Sequence, residues 1–97
     1  MTIDKTVSDG RLTVRVCGRL DTNTSPELES ALCFDGVSEI VFDFSALEYV
    51  SSAGLRVLMA AKKTMASVGG SVSVTGANEM VRGVLDMTGL SGVFNVS

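Results

Sequence analysis

Two segments near the N-terminus alternate between apolar and polar side chains, a pattern that predicts β-strands. Residues 3–7 and residues 12–17 both repeat with a period of two, and Ser8, Asp9 and Gly10 between them form a typical turn sequence. We therefore expect the two strands to pair as an antiparallel hairpin. The segment that follows them, residues 18–23, is expected to be a loop.

The rest of the chain alternates between helical and strand patterns. Thr24 or Ser25 can cap a first helix that has Pro26 at its first position, and Gly69 and Gly70 can end a second helix. The hydrophobic periodicity predicts helices over residues 25–32, 52–68 and 79–87, strands over 39–44 and 71–75, and a short terminal strand near 93–96.

This order of elements predicts an α/β fold. Strand–helix–strand repeats require parallel strands joined by right-handed crossovers. Strands covered on both faces are continuously apolar, whereas residues 12–16 and 71–75 alternate. We therefore expect a four- to five-stranded mixed sheet with helices mainly on one face, within a single domain spanning residues 1–97.

The composition fits a small globular protein of one domain. The chain has 97 residues, 45% of them hydrophobic, and no apolar run approaches the ~20 residues of a membrane-spanning helix. A basic stretch followed by an apolar one, typical of a secretory signal, is missing at the N-terminus. We expect a cytoplasmic protein that does not bind membranes and is a monomer or a weak dimer.

The charged and catalytic residue types exclude several functions. The net charge is −3 with both signs dispersed, so we expect no nucleic-acid partner. The chain has no histidine, which removes serine–histidine catalysis and histidine metal ligation. Cys17 and Cys33 have no CxxC spacing and are expected to be free thiols. We expect neither an enzyme nor a metal or cofactor site.

The second helix has two distinct faces. A helical wheel places Gly54, Leu58, Ala61, Met65 and Val68 on a core stripe. A separate sector, the serine face, consists of Ser52, Leu55, Arg56 and Met59. Exposed apolar side chains beside a serine favour a docking surface, and the alternative is that neighbouring loops cover them.

Ser51 and Ser52 lie where this helix begins. The first backbone N–H groups of a helix are unpaired and carry the positive end of its dipole. A serine hydroxyl there can cap the helix. A phosphoryl group there could be held by the same N–H groups, with Arg56 one turn further on. Spacing alone leaves both interpretations open.

One segment resembles the signature of a known family. Residues 43–58, which read Asp-Phe-Ser-Ala-Leu-Glu-Tyr-Val-Ser-Ser-Ala-Gly-Leu-Arg-Val-Leu, resemble the signature of the STAS domain in its stand-alone anti-sigma factor antagonist branch. The resemblance extends to residues 18–21, Gly-Arg-Leu-Asp, to residues 25–29, Ser-Pro-Glu-Leu-Glu, and to the order of elements over nearly the whole chain.

The resemblance implies a partner-switching protein that is a substrate and ligand rather than a catalyst. In this family the unphosphorylated antagonist binds a serine-kinase anti-sigma factor, and a serine phosphatase reverses the phosphorylation. Alignment on Gly54 and Leu55 makes Ser52 the expected phosphoacceptor, with Ser51 as the alternative. The residues expected to contact partners are Asp21, Ser51, Ser52, Leu55, Arg56 and Met59.

Two aspartates and two other functions complete the predictions. The resemblance implies that Asp21 contacts the kinase or orients the serine, and the alternative is an ordinary turn aspartate. Asp43 could hold backbone amides of the connection that follows it. A small STAS accessory subunit of a lipid-transport ABC complex is the second function considered. A nucleotide-binding protein is the third, although no phosphate-binding loop of known type is present.

Overall fold

The structure, a computed structural model, describes residues 1–32, 36–92 and 94–96. The strands are β1 (Thr2–Ser8), β2 (Arg11–Leu20), β3 (Glu39–Asp43), β4 (Leu47–Val50), β5 (Ser71–Thr75) and β6 (Asn95–Val96). The helices are α1 (Ser25–Ala31), α2 (Ser52–Ser67) and α3 (Glu79–Met87), followed by a 3-10 turn (Leu90–Gly92). Cys33, predicted to be a free thiol, lies outside the described residues, and Cys17 is a half-buried free cysteine.

The strands form one mixed sheet. Five of them lie in the order β1-β2-β3-β5-β6, and β4 pairs with β2 outside this path. The hairpin β1–β2 is antiparallel, and all other pairs are parallel. The predicted α/β fold with a mixed sheet is confirmed. The connection between the two strands of each parallel pair contains a helix, as a crossover connection usually does.

One face of the sheet carries the hydrophobic core. Side chains alternate between buried and partly exposed along the three central strands. The buried positions on these strands are Leu12, Val14, Val16, Leu20, Ile40, Phe42, Val72 and Val74. The helices contribute Leu28, Leu58, Met65, Val81 and Leu85 to the same cluster. The helices therefore cover mainly this face, as the alternation predicts.

The region between β2 and α2 differs from the prediction. Residues 18–20, predicted to be loop, continue β2 to Leu20, and the segment before the serines contains the strand β4. The two segments pair in parallel, with an irregular register between Gly18 and Arg19. Such a pairing joins residues about thirty apart, so the short pattern Leu47–Val50 gives little sign of it in the sequence.

The helices begin and end close to their predicted positions, with one error in the core stripe. The helical wheel predicts Val68 in the core, but its side chain is 67% exposed. The last helical residue of α2 is Ser67, and Val68 follows as its C-cap. Gly69 has a φ of 73° and the Gly70 N–H donates to the Met65 carbonyl, so the chain turns away before Val68 can pack.

None of the helices in the described ranges is both long and apolar enough to cross a membrane.

Candidate functional site

The connection from β3 to β4 is held by backbone groups and one carboxylate. The Phe44 N–H donates to the Thr75 carbonyl (2.8 Å), and the Leu47 N–H donates to the Phe44 carbonyl (3.0 Å). Asp43 Oδ1 accepts the Ser45 N–H at 3.0 Å. The predicted structural role of Asp43 is thus confirmed, and this hydrogen bond lowers the pKa of its carboxyl group.

The start of α2 rests closely on the end of β2. The Ser51 N–H donates to the Leu20 carbonyl at 2.9 Å. A Cβ atom on Gly54 would lie 2.7 Å from Cγ of Leu20 and 3.0 Å from Cγ2 of Val50. Only glycine allows this approach without displacement of those side chains. The first turn of α2 is therefore fixed relative to the end of β2.

The two serines at this helix start have different surroundings. Ser51 is the N-cap residue of α2, half-buried, and its Oγ accepts the Gly54 N–H at 3.4 Å. Ser52 is the first helical residue and is exposed. Within the part of the chain that the structure describes, its hydroxyl group has no hydrogen-bond partner. Ser51 thus takes the capping role, and the hydroxyl of Ser52 is left free.

The serine face is only partly a surface. Ser52 and Arg56 are exposed and Met59 is 42% exposed, as expected. The expected exposure of Leu55 is wrong, because its side chain is 8% exposed and belongs to the core cluster. Leu55 lies at the border between the two faces of the helix. Burying a leucine side chain there stabilises the folded protein by about 1.5–3 kcal/mol.

Asp21 closes the turn between β2 and α1. Its Oδ1 accepts the N–H groups of Asn23 (3.0 Å) and Thr24 (3.1 Å). The Asp21 N–H in turn donates to Oγ1 of Thr24 at 2.9 Å. These hydrogen bonds, the backbone N–H of Thr24 foremost, lower the pKa of the Asp21 carboxyl group. Within the chain, Asp21 therefore makes the contacts of an ordinary turn aspartate.

Two features near the serines were not predicted. The guanidinium carbon of Arg19 lies 4.5 Å from the centre of the Tyr49 ring, a cation–π contact between paired positions of β2 and β4. A groove of about 350 Å³ separates α1 from α2. Its lining residues are Thr22, Ser25, Pro26, Glu29, Ala53, Arg56, Val57 and Ala60. Both features depend on tertiary contacts that sequence periodicity does not report.

Clusters suited to a metal ion are missing from residues 1–32, 36–92 and 94–96. No three histidine, cysteine, aspartate or glutamate side chains converge there. At the start of α2 itself, the polar groups are the hydroxyls of Ser51 and Ser52, the Arg56 guanidinium and backbone N–H groups. Such groups fit an anion or a protein partner better than a cation.

These features together describe an exposed serine at a helix start, on a mixed sheet with helices mainly on one face. The STAS domain family model matches residues 2–97. The chain therefore belongs to the STAS domain family, as the resemblance implied.

Two similar proteins in this family are named anti-sigma factor antagonists. The chain is 31% identical over 100 residues to the anti-sigma factor antagonist BtrV of Bordetella bronchiseptica, covering all of this chain and 84% of BtrV. It is 31% identical to an anti-sigma factor antagonist from Mycobacterium paratuberculosis whose crystal structure superposes with a TM-score of 0.86, covering 98% and 83% of the two chains.

A third relative shows the same fold at lower identity. The anti-sigma factor antagonist SpoIIAA, a Bacillus cell fate determinant, has been solved in unphosphorylated and phosphorylated forms. The unphosphorylated form is 19% identical, with a TM-score of 0.87 and coverage of 99% of this chain and 88% of SpoIIAA. At this identity the match supports the fold alone.

Proposed function

We propose that this protein is a cytoplasmic anti-sigma factor antagonist controlled by phosphorylation of Ser52. The unphosphorylated protein binds a serine-kinase anti-sigma factor and releases the sigma factor. Phosphorylation by that kinase ends binding, and a serine phosphatase restores it. The observation that carries the proposal is the division of roles at the start of α2, where Ser51 caps the helix and Ser52 is exposed with a free hydroxyl group.

The local charge supports Ser52 as the phosphoacceptor. The first turn of α2 contains no acidic residue. A phosphoryl group would add about −1.5 to −2 charges beside the positive end of the helix dipole. Arg56, one turn further on, is exposed and forms no ion pair with the carboxylates of the described residues. The modified protein is therefore expected to keep its fold while its surface charge changes.

The docking surface of the proposal differs from the one that the sequence indicated. Ser52, Arg56 and Met59 can contact a partner directly, whereas Leu55 contributes by supporting the helix from the core. Ser51 contributes through its cap. The two relatives that are 31% identical to this chain are both named anti-sigma factor antagonists, which favours this function over an accessory subunit of a transporter.

The direct test is phosphorylation by the cognate kinase with ATP, followed by mapping of the site. We expect modification of the wild-type protein and of Ser51→Ala, and none of Ser52→Ala. Circular dichroism of both variants controls for folding. Modification that persists in Ser52→Ala would remove Ser52 from the proposal.

A second test separates binding from stability on the serine face. Met59→Ala is expected to change the free energy of unfolding by less than about 0.5 kcal/mol, since surface substitutions usually do. It should weaken kinase binding in calorimetry. Leu55→Ala is the matched contrast, with an expected loss of about 2–5 kcal/mol of stability because its side chain is buried. Unchanged kinase affinity in Met59→Ala would exclude Met59 from the interface.

A further inference from the structure

The outer face of α3 carries an exposed apolar surface, which we call the methionine stripe. The helix packs on the core through Val81 and Leu85, which are fully buried. Met80 is 56% exposed and Met87 is 84% exposed. Residues three and four apart share one side of a helix, and on this side the stripe consists of Met80, Gly83, Val84 and Met87. Exposed apolar side chains that adjoin one another favour a contact surface.

Gly83 lies in the middle of the methionine stripe. A Cβ atom at this position would meet nothing within 4 Å, so no contact of the described chain requires a glycine here. A glycine inside a helix costs about 1 kcal/mol relative to alanine. On the outer surface it leaves a gap between the two methionine side chains, where the backbone of a second helix could approach closely.

The stripe is complementary to itself when two copies of α3 cross in opposite directions. A twofold axis between residues 83 and 84 would pair Met80 with Met87 of the second copy, and would do so twice. The same axis would bring Arg82 close to Asp86 of the second copy, also twice, because the two residues lie at nearly equal distances from it. The arrangement therefore matches apolar with apolar side chains and opposite charges with each other.

Both charged side chains are available for such a contact. Arg82 and Asp86 are exposed on the same flank of the stripe, and Arg82 forms no ion pair within the part of the chain that the structure describes. Oδ1 of Asp86 accepts the Ser91 hydroxyl, which leaves Oδ2 for a guanidinium group. Charge pairs at the rim of an interface select the partner and its orientation.

We propose that two copies of the protein associate through their methionine stripes as a weak symmetric dimer. A helix of nine residues is only about 14 Å long, so the contact is smaller than the roughly 800 Å² per partner of a standard interface. A Kd of about 0.1–1 mM is expected for it. The stripe shares no residue with the serine face, and the inference is independent of the phosphorylation of Ser52.

The first experiment is sedimentation velocity of the wild-type protein between about 10 µM and about 1 mM, a range that brackets the expected Kd. We expect the average mass to rise towards that of a dimer, and Met87→Lys to weaken association at least about tenfold by placing a charge in the apolar contact. Val68→Lys is the matched control, because Val68 is also exposed (67%) but lies at the end of α2. Circular dichroism confirms folding of both variants. A wild-type protein that stays monomeric, or an equal loss in Val68→Lys, would overturn the proposal.

A charge exchange tests the orientation of the two helices. Arg82→Glu and Asp86→Lys each place like charges at both rim contacts of a dimer, so each variant alone should associate about five- to tenfold more weakly. In an equimolar mixture of the two variants, both rim contacts again join opposite charges. We expect the mixture to regain about the wild-type Kd. A mixture that associates no more tightly than the separate variants would overturn the antiparallel arrangement.

Discussion

The helices α2 and α3 begin in different ways. At the start of α3, Asn78 Oδ1 accepts the Val81 N–H at 2.8 Å, and its amide group donates to the Leu47 carbonyl at 3.0 Å. The first turn of α3 also contains the acidic residue Glu79. At the start of α2, the Ser51 cap is longer, 3.4 Å, and the first turn has no acidic residue.

The start of α3 is stabilised by a short cap and an acidic residue, whereas the start of α2 leaves an exposed serine at the positive end of the helix dipole. In α3, the Asn78 cap, the hydrogen bond from Asn78 to Leu47 of β4 and the charge of Glu79 all stabilise the fold. In α2 the fold depends instead on the close contact of Gly54 with Leu20, and the positive end of the dipole has no acidic side chain beside it. A negative charge added at Ser52 is therefore favourable electrostatically and leaves existing contacts in place.

The largest effect is expected from the contact of α2 with β2. Gly54→Ala should lower the free energy of unfolding by about 1–3 kcal/mol, because its Cβ would overlap Leu20. Gly83→Ala in α3 is the matched control, since a Cβ there meets nothing within 4 Å. That control should gain up to about 1 kcal/mol from helix propensity. Urea unfolding of both variants checks the comparison, and a stabilised Gly54→Ala protein would contradict it.

The two caps should differ in the same measurement. Asn78→Ala is expected to cost about 2 kcal/mol, at the upper end for caps, because it also loses the hydrogen bond to Leu47. Ser51→Ala should cost about 0.5–1 kcal/mol, since its hydrogen bond is long. Equal losses of stability in the two variants would show that the hydrogen-bond geometry of a cap does not determine how much it stabilises the protein.

A charge at the first position of α2 should stabilise the protein slightly. Ser52→Asp is expected to raise the free energy of unfolding by about 0.3–1 kcal/mol at low salt, because it places an anion at the positive end of the dipole. Glu79→Gln, the reciprocal change in α3, should lower it by a similar amount. Thermal unfolding at two salt concentrations tests both, and a destabilised Ser52→Asp protein would argue against a phosphate-compatible site.

The smallest expected effect is a loss of stability at low pH. The pKa values of Asp21 and Asp43 are lowered by hydrogen bonds to the ionised carboxylates. Their stabilisation is therefore fully present above the unfolded pKa of about 3.9 and is lost as pH falls through the lower folded value. Urea unfolding between about pH 3 and pH 6 should show a decline below about pH 4 that Asp43→Asn reduces. An equally steep decline in Asp43→Asn would contradict the assignment for Asp43.

The local patterns were sufficient for most elements of the fold. Apolar and polar residues alternate clearly in the hairpin. The hydrophobic period and the flanking residues of α3 predict a helix over residues 79–87, which is where the structure has it. The strand β4 was missed because its partner is the end of β2, about thirty residues earlier. Periodicity cannot report pairing at that distance, and it also cannot show whether a residue at the edge of a helix face, such as Leu55, is covered.

At the site, the sequence correctly predicted that α2 begins at Ser52 and that Ser52 is exposed, but it left open whether Ser51 caps the helix. Adjacent serines at a helix start differ only in which one precedes the first helical residue, and boundaries of helices are uncertain by a residue or two. The backbone of the structure makes Ser51 the cap. The hydrogen bonds of the Asp21 carboxylate likewise depend on the geometry of the turn, which the sequence of the turn does not specify.

The strand β2 changes neighbours along its length, and this bears on local opening of the backbone. Residues 11–15 lie between β1 and β3, whereas residues 18–20 pair with β4 alone among the described strands. Segments with pairing on one side open at lower free energy than the centre of a sheet. Amide hydrogens at the end of β2 should therefore exchange with solvent sooner than those at its centre. The segment that anchors Ser51 can thus loosen while the rest of the sheet stays closed.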